Sequence, residues 1–315
     1  MTLFPDIAVF FGALIVLVAA ASFMVKYLAR IAVYLRMSEF VISFIIIGFS
    51  TSIPELFIGI TSAMAGNPQL SLGNIIGANI ADLTIVIGIP VLLARGIRVS
   101  TKAARDDVYY MFVIAALPLA LMALGDELSR IDGLILIGVF IFYIYKLIQQ
   151  QRSLHKRIEE RIGRREIVAV TLLFMLCLMF VLGAAHFVVE KAVSLSIGLN
   201  VPILLVGLVL LGIGTSLPEL SFSIRSVRQG HPEMALGDSI GSIVVNSSFV
   251  LGLVAVIHPI QAAVSLYFIS WVFLLLVSFI FLSFVKSGSR VTWQEGIALI
   301  MLYAFFLMVE FYARV

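Results

Sequence analysis

The chain has 315 residues, 62% of them hydrophobic and only 12% charged, with a mean hydropathy of +1.14. A soluble globule needs a polar face on most of its elements, so this composition excludes one and points to a polytopic membrane protein. The net charge of +3 makes no case for a nucleic-acid partner, and a single cysteine, Cys177, rules out an internal disulfide.

Segments of about 20 apolar residues predict ten helical spans, at 3–25, 37–65, 71–93, 106–124, 131–149, 166–189, 200–228, 234–257, 261–285 and 292–312. The first lacks a basic leader and a small-residue cleavage site, so it reads as a retained span. A membrane β-barrel would need alternating segments of about ten residues. Stretches such as 135–144 and 172–182 are instead apolar on all sides. A basic linker separates five spans from five, which gives a first repeat at 1–148, a linker at 149–165 and a second repeat at 166–315. Of the 21 Lys and Arg, 18 fall in loops on one side and only Arg130, Lys191 and Arg314 on the other. The positive-inside rule makes the crowded side cytoplasmic, with both termini outside.

The two halves carry one phrase. Gly48-Phe-Ser-Thr51-Ser52-Ile-Pro54-Glu55 returns as Gly212-Ile-Gly-Thr215-Ser216-Leu-Pro218-Glu219, offset by 164 residues. The offset persists in Gly73/Gly237, Gly77/Gly241 and Gly88/Gly252. An odd number of spans per copy turns the second copy upside down, giving an all-α protein of two inverted five-helix repeats. Each proline lacks the amide that the preceding turn requires, so each helix is expected to break there, with Ser52/Glu55 and Ser216/Glu219 restarting it as capping boxes. The break frees carbonyls near Gly48 and Gly212, and a bound cation would satisfy them.

Ionisable side chains at bilayer depth are functional hypotheses by default. The second motif, Gly73 to Asp82, matches Gly237 to Asn246, and Ala78 and Ser242 lie one turn earlier on the same face. Glu55, Glu219, Asp82 and Asn246, with the hydroxyls of Thr51, Ser52, Thr215, Ser216 and Ser242, offer only hard oxygens. That set suits calcium or sodium and argues against zinc or copper. The glycine pairs read as helix-packing positions. Asp238, the counterpart of Asn74, reads as a helix N-terminal charge with an access-path role left open. His186 and Glu190 read as a local pair. Three carboxylates carry −3 against +2 from one calcium ion, so Asp82 is expected to stay neutral and bond Asn246.

These paired motifs resemble the calcium/cation antiporter superfamily, specifically its prokaryotic sodium/calcium exchangers, over essentially the whole chain. The resemblance implies that Glu55 and Glu219 ligate both ions. It implies roles for Thr51, Thr215, Ser52, Ser216 and Ser242, and for the Gly48 and Gly212 carbonyls at flanking sodium sites. It further implies a multi-pass prokaryotic inner-membrane antiporter, not an enzyme, with no cofactor and a monomer sufficient for transport. The family's usual asparagine and aspartate are exchanged here at Asp82 and Asn246, and Ala78 replaces a usual serine. That second departure keeps a proton/calcium or other cation antiporter as the alternative, with a channel as a weaker one.

Overall fold

The structure, a computed structural model, describes residues 3–34, 51–99, 102–150, 164–261, 264–288 and 290–312. Gly48 and the first half of the predicted second span, 37–50, lie outside the described residues. We number the helices α1 (Leu3–Tyr34), α2 (Ile53–Met64), α3 (Pro68–Leu93), α4 (Lys102–Gly125) and α5 (Arg130–Gln150). The second half gives α6 (Arg164–Leu199), α7 (Ile203–Arg228), α8 (Pro232–Ile257), α9 (Val264–Gly288) and α10 (Trp293–Tyr312). Among the described residues, nine helices are long and apolar enough to cross a membrane, and α2 is a shorter apolar helix.

Two bodies share the buried surface. The larger core joins α3, α4, α5, α8, α9 and α10 through residues such as Ile76, Met111, Val250, Trp271 and Phe281. The smaller is the antiparallel pair α1/α6, packed through Leu14, Leu17 and Ala21 against Ala185, Val188 and Ala192. Ion pairs fasten this pair at both ends, Asp6 to Lys191 at 3.2 Å and Arg30 to Glu166 at 3.3 Å. Its outer faces are lipid-like, as α6 shows with Leu172, Met179 and Phe180 exposed.

Four short strands report the inverted topology directly. β1 (Ile97–Arg98), after α3, pairs with β4 (Arg290–Val291), after α9. β2 (Glu127–Leu128), after α4, pairs with β3 (Ile260–Gln261), after α8. Paired strands must lie on one side of the membrane. The loop after the third span of one repeat therefore shares a side with the loop after the fourth span of the other, which only inverted repeats allow. The same exchange appears in the glycines: a Cβ at Gly88 would meet the Gly296 carbonyl at 2.9 Å, and one at Gly252 would meet the Gly133 carbonyl at 2.8 Å. Capping boxes at Ser129/Asp132 and Thr292/Glu295 start α5 and α10 alike.

The glycine pair of α3 lets it touch the backbone of α7. A Cβ on Gly73 or Gly77 would lie 2.1 or 2.0 Å from the carbonyl oxygen of Leu204 or Leu208. Gly207 and Gly212 of α7 return the contact, meeting Leu70 and Gly77. Gly77→Ala is expected to destabilise the protein by about 1–3 kcal/mol through overpacking against rigid backbone. Gly138→Ala, with open space around it, should be neutral. Thermal melts of the detergent-solubilised protein followed by size exclusion compare the two.

Candidate ion-binding site

Where α3 crosses α7, and α8 lies beside α2, the apolar core gives way to a polar centre. α3 runs as an α-helix to Ala81, widens into a π-turn over Asp82–Val86 and resumes at Ile87. α8 does the same over Val245–Val250, and α7 carries a third π-turn at Val206–Leu211. A π-turn inserts one residue and re-aims side chains, a device that concentrates at functional sites. It places Asp82 and Asn246 in the middle of their spans.

The break in α7 is a single residue: helix ends at Thr215, Ser216 is a turn and helix resumes at Leu217. Neither Ser52 nor Ser216 caps the helix that follows, which corrects the capping-box expectation. Pro54 and Pro218 at the second helical position remove an amide that a serine cap would use. The serines cross to the other repeat instead. Ser52 Oγ lies 3.3 Å from Ser242 Oγ, and Ser216 Oγ donates to the Ala78 carbonyl at 3.4 Å.

The threonines repeat the pattern. Thr51 donates to Asp238 Oδ1 at 3.4 Å, and Thr215 donates to Asn74 Oδ1 at 3.2 Å and to the Leu211 carbonyl at 3.0 Å. Each repeat thus presents Thr-Ser to a polar stripe spaced by four, Asn74-Ala78-Asp82 on α3 and Asp238-Ser242-Asn246 on α8. That spacing places three residues on one helix face.

Glu55, Asp82, Asp238 and Asn246 are fully buried, and Glu219 is 1% exposed. Both oxygens of Glu55, Glu219 and Asp82, Oδ2 of Asp238 and Oδ1 of Asn246 have no hydrogen-bond partner among the described residues. Glu219 lies within electrostatic range of Glu55, Asp82 and Asp238, and Asp82 faces Ser216 and Ser242. Among the described residues, no three carboxylates, imidazoles or thiols stand close enough to form a compact metal centre by themselves. A cation here must complete its shell with hydroxyl, amide and carbonyl oxygens, which the threonines, serines and asparagines supply.

Two further readings change. Asp238 is not a helix-end charge: α8 starts at Pro232, so Asp238 sits nearly two turns inside it, buried against Thr51. Asp82 and Asn246 do not bond each other: Asn246 Oδ1 and both Asp82 oxygens have no partner among the described residues, while Asn246 Nδ2 donates to Asn79 Oδ1 at 3.3 Å and to Ser242 Oγ at 3.4 Å. Asn79, which also donates to Ser247 at 2.8 Å, escaped the sequence reading. Asn74 and Asp238 were within reach of it, since the stripe that linked positions 78 and 82 extends one more turn. Glu190 pairs with Lys191 at 3.0 Å rather than with His186, whose ring stands edge-on to Phe187.

Two cavities flank the α1/α6 pair, and the pseudo-symmetry relates them. One of about 480 Å³ is lined by Ser22, Lys26, Leu217, Pro218 and Arg225, and reaches Thr51. The other, about 580 Å³, is lined by Thr61, Asn67, His186 and Glu190, and Thr61 is the lining residue of α2 nearest the centre. Leu217 is 51% exposed, but its counterpart Ile53 only 2%. The cause is packing: α6 lies firmly against α2, while the equivalent contact of α1 with α7 is thin.

The chain matches the family model for sodium/calcium exchanger protein twice, over residues 6–149 and 169–312. It belongs to that family. Sodium/calcium exchanger MaX1 of Methanosarcina acetivorans is 27% identical over 95% of this chain and 96% of its own length. Inner membrane protein YrbG of Escherichia coli is 27% identical over 76% of each chain. A solved structure of the sodium-calcium exchanger NCX_Mj superposes with a TM-score of 0.67 at 24% identity, covering 98% of this chain and 99% of that one.

Labelling tests the opening. In a Cys177→Ala background, Leu217→Cys should react with a membrane-impermeant maleimide applied from the face carrying Lys26 and Arg225. Ile53→Cys, only 2% exposed, should react far more slowly, and not from that face.

Proposed function

We propose that this member of the sodium/calcium exchanger family carries calcium against sodium through one site by alternating access. The observation that supports the reading best is the symmetry-related pair Glu55 and Glu219, both buried, whose carboxylate oxygens find no partner among the described residues. An ionised carboxylate left unpaired in a low-dielectric core costs several kcal/mol, so the site is built for cations. Glu55 and Glu219 are the shared ligands of both ions. Thr51, Thr215, Ser52, Ser216, Ser242, Asp82 and Asn246 complete the shells, together with backbone carbonyls near Gly48 and Gly212.

The orientation follows the loop charges. The face with Lys26 and Arg225 is cytoplasmic and both termini are outside, in the cytoplasmic membrane of a prokaryote. The cavity that reaches Thr51 then opens inward, and this conformation releases and loads ions on the cytoplasmic side. Exchange requires the outward counterpart. It is reached when α1/α6 rocks as one fastened unit, seals the Leu217 side and uncovers the Ile53 side. A single-chain exchanger needs no cofactor, and its repeats supply both halves of the site.

Calcium-45 uptake into sodium-loaded proteoliposomes is the direct test, with a proton gradient alone as the comparison. Uptake should follow the sodium gradient. Uptake driven equally by protons would favour the proton-coupled alternative, and flux without a counter-ion would indicate a channel. Glu55→Gln and Glu219→Gln should each lower sodium-driven uptake by about a hundredfold or more, since each removes a charged ligand from a desolvated divalent site. Ala78→Ser should raise apparent sodium affinity more than calcium affinity, because it adds a hydroxyl beside Ser216 on the side where the first repeat lacks one. Sodium and calcium activation curves measured in the same vesicles decide this.

A further inference from the structure

We propose that Asp238 and Thr51 form an additional sodium-binding station at the inner edge of the core, one that the first repeat lacks. The inference rests on the exchange reading above and adds to it a ligand that breaks the two-fold symmetry. Asp238 is fully buried on α8, on the same face as Ser242 and Asn246. Its Oδ1 accepts from Thr51 at 3.4 Å, a long bond, and its Oδ2 has no partner among the described residues. Among the described residues, no Lys or Arg charge acts on it; the like charge that does is Asp82, and Glu219 in turn feels Asp238.

The mirror position is occupied by Asn74, which accepts from Thr215 in the same way and carries no charge. Only one end of the core therefore has this extra carboxylate. It is the end that faces solvent, since Thr51 lines the cavity that opens on the Lys26 and Arg225 face. A cation passing from that cavity meets the Thr51 hydroxyl and the free Asp238 oxygen before it reaches Glu219.

The chemistry favours sodium over calcium at this station. One carboxylate with one hydroxyl supplies few charged oxygens, too few for the six to eight ligands that calcium takes. The station adds to an asymmetry already present one turn away. The first repeat has Asn74 and Ala78 where the second has Asp238 and Ser242. Sodium liganding is thereby concentrated in the second repeat, on the inner side.

Sided flux tests this. Calcium-45 efflux is driven by sodium on the cytoplasmic face in everted membrane vesicles, and on the external face in right-side-out vesicles. Asp238→Asn, which copies Asn74, should raise the half-activating sodium concentration on the cytoplasmic face by about tenfold and leave the external value within about twofold of wild type. Asn74→Asp should lower the external value, because it builds the missing mirror station. Unchanged cytoplasmic activation in Asp238→Asn, or equal shifts on both faces, would overturn the proposal. If Asp238→Asn does not reach the membrane, Asn74→Asp carries the test alone: an external value that does not fall overturns it. Wild-type vesicles without sodium-driven efflux would instead overturn the exchange reading itself, so the two failures are distinct.

Discussion

One electrostatic demand runs through this fold: four carboxylates, those of Glu55, Asp82, Glu219 and Asp238, are buried within electrostatic range of one another, and among the described residues no cationic side chain meets them. No hydrocarbon interior tolerates that unless mobile cations or protons compensate it. Among the described residues, no lysine or arginine neutralises the centre. The protein surrounds it with neutral donors and acceptors, hydroxyls and amides, that bond to one another across the repeats and remain able to turn toward an ion. The backbone devices serve the same end. The prolines and π-turns break helical regularity, so oxygens face inward, and the paired glycines bring α3 against α7 closely enough for the two repeats to share one cage.

The same centre explains why the protein divides into two bodies. The polar centre draws its side chains from α2, α3, α7 and α8, and the large core holds these helices through tight glycine contacts and capped helices. Access has to vary, and α1/α6 is suited to move. It is fastened to itself by Asp6–Lys191 and Arg30–Glu166, and touches the rest mainly through apolar side chains that can slide. The repeats are alike in sequence, yet the α1/α6 pair leans on one of them. Inverted repeats permit this: the opposite leaning would be the pseudo-two-fold counterpart of the same packing, which is how such repeats make a two-state switch.

Much of this was legible in the sequence because the duplication doubles every signal. Ten apolar segments, the 164-residue offset and the midplane glutamates follow from periodicity and the cost of buried charge, and Gly73 and Gly77 pack as their spacing implies. The capping boxes were misplaced for a local reason. Ser52-x-x-Glu55 fits that pattern, but proline removes an amide and the carboxylate is drawn to the core. The true boxes at Ser129 and Thr292 have the same form with no competing demand. Asp238 was misjudged because its depth was counted from a span start at 234, and two residues decide whether a charge lies at a mouth or in a core. The π-turns have no composition signal, since they depend on which residue tertiary contact pushes out of register. The lean of α1/α6 has no signal in the sequence, because the two repeats offer it nearly equivalent surfaces.

The central claim is that one cage of buried carboxylates serves both ions, and a calcium titration of the purified full chain at increasing sodium concentrations tests it most directly. If Glu55 and Glu219 are shared, apparent calcium affinity must fall steeply as sodium rises, with more than one sodium ion displacing each calcium ion. Calcium affinity independent of sodium, with both ions bound at once to saturation, would contradict a shared site and the account built on it.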